Sequence, residues 1–457
     1  MRHFNIAGPC NPERHYMVAP GRRLPGAVPL VEKGAYFALH APRQTGKTTT
    51  MKALARQLTA GGRYAALYFT CEAARAFSDD VAQANKTVVG AIEASAHLDL
   101  PESLRPPPRV EADAGNYLQA QLVRWAEACP RPLVLIFDEI DAMGGDSLVS
   151  VLGQLRAGYD TRPAAAPWSV VLCGMRDVRD YKAASGGGVV RLGSSSPFNI
   201  KEESLRLGNF GEAEVRELYA QHTAETGQVF AEEALARAWE LTQGQPWLVN
   251  ALGREIQEKL QVPAAEPITA AHVDVAKERV IYARATHLDS LLARLQEDRV
   301  ERVLEPILAG ELTVNPTFDA DFEYVVDLGL VAPDRPVRIA NPIYREVVVR
   351  VLGAPAEALV TATSRTYTAP DGRLDLSRLL PTSPSSGGRT ATSWPRACLI
   401  PRSPRSSCSW RGSTASSTAV ASSSARWASA PSASTSRSAG PSPAPTAGAR
   451  CSARRSS

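Results

Sequence analysis

No stretch of the sequence stays apolar long enough to span a bilayer, and its start, MRHFNIAGPC, is too polar and irregular for a secretion signal. The expectation is a cytoplasmic protein. Its seven cysteines show neither the pairing of a disulfide framework nor the spacing of a zinc site. Cys10, Cys71, Cys129 and Cys173 therefore read as small core or surface residues in a reducing compartment. Acidic residues are missing from one region altogether. From Pro381 to the end there are ten Arg but no Lys, Asp or Glu, so removing that segment turns the net charge of +4 into −6. A case for nucleic-acid binding built on the overall pI of 8.7 would rest on the tail alone.

What remains is ordinary globular composition, 44% hydrophobic and 21% charged, in a chain long enough for two or three domains. The first thirty-odd residues carry Pro and Gly at short intervals and read as an extended lead-in. Four apolar strands follow at 35–40, 64–70, 132–139 and 168–174, separated by helical segments. The third is apolar on both faces, as a central parallel strand must be. Strands alternating with helices predict an α/β parallel sheet flanked by helices. SGGG (185–188) reads as a flexible loop, and the pattern beyond it as all helical. Val215, Leu218, Tyr219 and His222 recur at helical spacing, and Pro246 opens PWLVNALGREIQEKL at a first helical position. The order after about 285 is helix, helix, hairpin (LVAPDRPVRIA), helix, which predicts a winged-helix-like unit. The expected division is a core at 1–200, a helical lid at 201–280, a winged-helix-like domain at 281–355 and a linker at 356–380. The Ser/Ala/Arg/Pro/Thr segment at 381–457 lacks periodicity and should be disordered.

Two motifs carry chemistry. APRQTGKTT (41–49) follows a strand and opens a helix, the context a Walker A phosphate loop requires. Gln44, Thr45, Gly46, Lys47, Thr48 and Thr49 are the candidate nucleotide-binding residues. Backbone N–H groups around Gly46 would wrap the β-phosphate at a helix N-terminus. Lys47 would reach the β- and γ-phosphates, and Thr48 would offer its hydroxyl to Mg²⁺. The pattern asks for Gly where this chain has Ala41, followed by Pro42, and this departure is expected to be tolerated. VLIFDEIDAM (134–143) ends an apolar strand on two acids, as a Walker B motif does. Asp138 would hold Mg²⁺, directly or through water, and Glu139 would orient or deprotonate the attacking water. Asp141 reads as a cap for the next helix rather than a metal ligand.

Weaker signals lie elsewhere. Arg176, in LCGMRDVRDY at the end of the fourth strand, could reach the γ-phosphate or a neighbouring subunit's nucleotide. A surface salt bridge with Asp177 or Asp180 is the equal alternative. Arg179 and Arg191 read as solvated surface rather than trans-acting fingers. GQP (244–246) could be helix punctuation or a lid motif that brings Pro246 to the nucleotide. His15 and Tyr16 could pack on the adenine or be exposed.

FNIAGPCNPERHYMV, HAPRQTGKTT, VLIFDEID, GMRD and GQPWLV, in this order over roughly residues 4–355, resemble the prokaryotic AAA-like P-loop ATPases, close to the STAND and archaeal-type groups. The resemblance implies a P-loop core joined to a helical lid and a winged helix, with ATP and Mg²⁺ as ligands. The GTPase base motif N/T-K-x-D is missing from its expected region. A Glu beside the Walker B Asp marks the additional-strand subgroup. Some members carry a C-terminal nuclease-like domain. The tail here resembles a GC-rich gene read out of frame: shifting the frame from Ser385 and from Ser409 permits protein-like, aromatic-rich sequence. A frameshift near Leu380 that replaced a genuine C-terminal domain is therefore one reading, and a natural basic tail the other.

The functional expectation is an ATP-binding protein, an Mg²⁺-dependent ATPase or ATP-driven conformational switch. Self-association or an unidentified protein partner is compatible with it, and no membrane is involved. The alternatives are a nucleic-acid-binding winged-helix protein regulated by ATP, and a truncated product that lost a nuclease-like domain. Asp319, Asp321, Glu323 and Asp327 weigh against nucleic acid, because acids on the recognition segment would repel phosphates.

Overall fold

The computed structural model describes residues 1–175, 182–185, 188–191, 200–283, 286–310 and 319–352. The expectations for the linker and for the tail at 381–457, including its disorder and its reading frame, lie outside the described residues, as do Arg176 and Arg179.

The core is a five-stranded parallel sheet in the order β2–β3–β4–β1–β7. Four of its strands are β1 (Tyr36–His40), β2 (Ala65–Thr70), β3 (Leu133–Asp138) and β4 (Ser169–Gly174). They are apolar and almost wholly buried because helices cover both faces. Side chains alternate between those faces. Tyr36, Leu67, Phe69, Leu135, Phe137 and Leu172 pack against α3 (Val81–Asp99), α4 (Tyr117–Ala128) and α5 (Gly145–Ala157). Phe37, Leu39, Ala66, Tyr68, Val134, Ile136, Val171 and Cys173 pack against α1 (Ala27–Glu32) and α2 (Lys47–Ala60). Each large apolar side chain buried this way contributes about 1.5–3 kcal/mol.

The all-helical reading beyond residue 188 does not hold. The residues of SGGG that are described belong to the facing strands of an antiparallel pair, β5 (Lys182–Ser185) and β6 (Gly188–Arg191). The fifth sheet strand, β7 (Lys201–Arg206), then pairs in parallel with β1. Its sequence KEESLR hides this, because β7 is an edge strand with Glu202 and Glu203 exposed, so it needs no apolar run.

Beyond β7 come α6 (Glu212–Thr226), α7 (Glu232–Thr242), α8 (Pro246–Arg254), continued by a π-helical segment at Glu255–Leu260, and α9 (Ala270–Tyr282). Next are α10 (Thr286–Leu295), α11 (Asp298–Ala309) and α12 (Ala320–Asp327), then a helix at 342–352. The expected hairpin between α12 and that last helix is a single antiparallel bridge, Val331 to Ile339. All these helices share one continuous apolar core.

The lead-in is not extended either. His3 bridges to His15, and Phe4 and Tyr16 bury their rings against Tyr219 and His222 of α6. Gly253 of α8 has to be glycine for this packing, since a Cβ there would come within 2.8 Å of the Phe4 ring. The N-terminal segment is thereby fastened to the helical region. No described helix is long and apolar enough to cross a membrane.

Candidate nucleotide site

The loop at 41–46 joins the end of β1 to the N-terminus of α2. It turns through two left-handed residues, Gln44 (φ 59°) and Gly46 (φ 89°). Gly46 is required twice over. The left-handed conformation disfavours a side chain, and a Cβ would stand 2.9 Å from the Arg23 guanidinium. Thr45 Oγ1 closes the loop by donating to Pro42 O at 2.8 Å. The Lys47 ammonium, buried under the loop, donates to Ala41 O at 2.8 Å and Pro42 O at 3.2 Å. Ala41 itself is fully buried.

Thr48, in the first turn of α2, donates its hydroxyl to Asp138 Oδ2 at 2.9 Å. Strand parity brings Asp138 there: Val134, Ile136 and Asp138 share the face beneath α2. Asp138 is 1% exposed, and its Oδ1 accepts the Glu139 N–H at 3.0 Å. Glu139 has a left-handed backbone (φ 53°), a strained state for a non-glycine residue. Burial, with Asp141 and Asp138 nearby, raises the Glu139 carboxyl above its usual range against a smaller opposing pull from Lys47.

A cavity of about 510 Å³ opens above these residues. Gln44, Gly46, Lys47, Thr48, Thr49 and Glu139 line its phosphate-loop end, and Pro246, Trp247 and Asn250 of α8 line another wall. Of the sequence candidates, Thr45 and Asp138 lie one layer behind this surface. Thr49 Oγ1 accepts the Cys10 N–H at 3.0 Å, tying the N-terminal segment to α2. GQP punctuates the helix. Gln245 caps α8 by accepting the Leu248 N–H at 2.6 Å, and Pro246 opens α8 while lining the cavity. Gly244 is fixed by its φ of +70° and by Phe210 O, which would lie 1.9 Å from a Cβ.

Tyr16 touches the cavity but is 1% exposed and belongs to the helical core. His15 instead accepts the Asn11 N–H at 2.9 Å, outside the cavity lining. Asp141 does not cap α5, whose N-cap is Gly144. It accepts the Met175 N–H at 3.0 Å and so joins the ends of β3 and β4. Arg191 is placed on β6.

Three contributors carry no motif signal. Arg23, from the short turn at Pro20–Arg23, donates to Thr45 O at 2.8 Å and Gly208 O at 2.5 Å and stacks on Phe210. It joins the phosphate loop to the segment entering α6 and lines the cavity. Burial lowers its pKa to about 10, and no carboxylate among the described residues pairs with it. The Asn250 amide donates to Pro246 O at 2.8 Å, leaving a buried Oδ1 with no partner among the described residues. Tyr68 donates to Asp138 Oδ2 at 2.7 Å.

The residues suit a nucleotide and a hard divalent cation. Gly46 lets the backbone come close, α2 supplies a 14-residue helix N-terminus, and Thr48 and Asp138 converge as oxygen donors of the kind Mg²⁺ takes.

Residues 32–181 match the family model described as the AAA domain. No curated protein matches the chain. The Walker-type ATPase of Pyrococcus abyssi is similar in structure, with a TM-score of 0.52 at 14% identity over 76% of this chain and 99% of that one. The ORC1 protein of Aeropyrum pernix, in complex with DNA, aligns with a TM-score of 0.37 at 16% identity over 75% of this chain and 93% of that one. The RuvB Holliday junction branch migration motor of Thermotoga maritima reaches 0.39 at 15% over 72% and 93%. The first likeness is one of fold alone, and the other two carry no argument.

Proposed function

Since this chain carries an AAA-like P-loop ATPase domain, we propose that it is an Mg²⁺-dependent ATPase whose nucleotide state sets the position of its C-terminal helical modules. The observation that carries this reading is the convergence of Lys47, Thr48 and Glu139, with Asp138 directly behind, at one end of a cavity whose opposite wall belongs to α8. In this reading the core runs through β7, α6–α9 form the lid, and α10 to the last helix form the winged-helix-like unit.

The roles follow from position. The Lys47 ammonium turns from the carbonyls of Ala41 and Pro42 to the β- and γ-phosphates. The N–H groups from Gly46 onward hold the β-phosphate. Thr48 and Asp138 hold Mg²⁺, which supplies charge neutralisation to the phosphates. Glu139 orients the attacking water and takes its proton as the water oxygen bonds the γ-phosphorus and the bond to the β-phosphate oxygen breaks. A carboxyl raised above its usual range is a better base for this than an exposed one. Asn250 is the polar group of the α8 wall: one amide N–H is held by Pro246 O, and its Oδ1, without a partner among the described residues, is the candidate acceptor for a base amine such as that of adenine.

A switch requires the modules to feel the phosphate loop. Gly329 lies against Pro42, Arg206 donates to Val326 O at 3.0 Å, and His40 Nδ1 stands 3.8 Å from Asp327 Oδ1. ATP that reshapes the loop would bias this docking. The same contacts weigh against nucleic-acid readout by α12. Three of the four acids on this segment are engaged: Asp319 caps the helix, Asp321 pairs with Arg302, and Asp327 faces His40. Self-association and an unidentified protein partner remain part of the proposal. The test is Mg²⁺-dependent phosphate release from ATP, with Lys47→Ala and Glu139→Gln both expected to abolish it.

A further inference from the structure

Tyr68 is a buried titratable group to which the proposed reaction gives no role. It sits on β2, on the face beneath α2, where Ala66 and Tyr68 alternate with Leu67 and Phe69 on the opposite face. Phe would pack as well at this position. What the hydroxyl adds is a hydrogen bond of 2.7 Å to Asp138 Oδ2, the oxygen that also accepts Thr48 Oγ1 at 2.9 Å. With Glu139 N–H on Oδ1 at 3.0 Å, three donors fix the carboxylate. The Tyr68 ring is held in turn by the Lys52 ammonium, 5.1 Å from its centroid. Burial and Asp138 push the phenol well above its ordinary range, so it remains a donor. The Cys173 thiol, also buried beside Asp138 and pushed well up, can add only a weak donor.

The donors differ in what nucleotide binding asks of them. Thr48 lines the cavity, whereas Tyr68 lies outside its lining. A hydroxyl can give a lone pair to a cation and still donate its proton, so Thr48 must be oriented to serve the cation and Asp138 at once. Tyr68 has no such double demand.

We propose that Tyr68 is the positioning residue for the divalent cation, holding Asp138 in its metal-binding orientation alongside Thr48, which serves both carboxylate and cation. It acts through Asp138 and touches neither nucleotide nor cation. Outer-shell groups of this kind typically change metal affinity by about 10–100-fold. The inference rests on the nucleotide reading above and concerns only the cation-dependent part of binding.

The experiment uses the full chain and a non-hydrolysable ATP analogue, with binding measured calorimetrically in EDTA and across a Mg²⁺ titration, for wild type and Tyr68→Phe. The expected result is unchanged affinity in EDTA, within about twofold, with the Mg²⁺ concentration needed for half of the affinity gain raised about tenfold. An unchanged Mg²⁺ requirement would overturn the proposal. So would equal losses with and without Mg²⁺, which would mark Tyr68 as a purely structural residue. Wild type that binds the analogue but gains nothing from Mg²⁺ overturns the proposal and leaves nucleotide binding standing. Wild type that binds no analogue at all overturns the nucleotide reading, and the proposal with it.

Discussion

Gly329 lies directly against Pro42: a Cβ at 329 would come within 2.8 Å of the proline ring carbons. Pro42 is the second residue of the phosphate loop, and Gly329 ends the turn after α12, so the two modules meet at the site itself. Gly329 also has φ +79°, where a side chain costs about 1–2 kcal/mol. Gly329→Ala is expected to destabilise the protein by at least that amount in urea unfolding and to weaken ATP binding. Adding Pro42→Gly, which removes both side-chain carbons that the new Cβ would meet, should restore the steric part but not the backbone part. Strict additivity of the two changes would mean that the contact transmits nothing.

Glu139 predicts opposite effects on rate and stability. Its carboxyl is raised in the folded protein, so the fold favours the protonated form. The stability this contributes is fully present below the ordinary carboxyl pKa and is lost as pH rises through the raised folded value. Glu139→Gln should therefore abolish turnover, retain ATP binding and raise the melting temperature near pH 7. That thermal advantage should shrink as pH falls toward the ordinary carboxyl range. Wild-type turnover should rise with pH through the raised pKa. Melting curves and rates across pH check both signs.

Asn250 should decide between bases. Wild type is expected to bind ATP more tightly than GTP, and Asn250→Leu should reduce that preference by about tenfold, mainly through weaker ATP binding, as loss of one buried hydrogen bond implies. Purine riboside triphosphate, which lacks the amine, isolates the contact. If wild type does not distinguish it from ATP, Asn250 does not read the base.

Arg23 ties Thr45 to Gly208 through a planar fork that lysine cannot reproduce. Arg23→Lys is expected to weaken ATP binding several-fold while leaving the apo fold intact by circular dichroism. Unchanged affinity would reduce Arg23 to a packing residue.

Much of the site was legible because its residues are local in sequence. Lys47 and Thr48 open a helix straight after a strand, and Asp138 and Glu139 end one, so motif and context coincide. Strand alternation already puts Tyr68 and Asp138 on like-facing positions of neighbouring strands, but their pairing depends on register, with Tyr68 beside Ile136, which no local pattern reveals. β7 escaped notice because an edge strand can be polar. The folded lead-in escaped because Phe4 and Tyr16 meet Tyr219 and His222 some two hundred residues away. Asp141 was misread as a cap because the next helix starts later and uses Gly144.

The most direct test is ATP turnover by the full chain with and without Mg²⁺, beside Lys47→Ala and Glu139→Gln. Mg²⁺-dependent phosphate release by wild type is predicted, with both variants inactive and Glu139→Gln still binding ATP. Turnover that persists in Glu139→Gln, or wild type that binds no ATP, would contradict the roles assigned to this site.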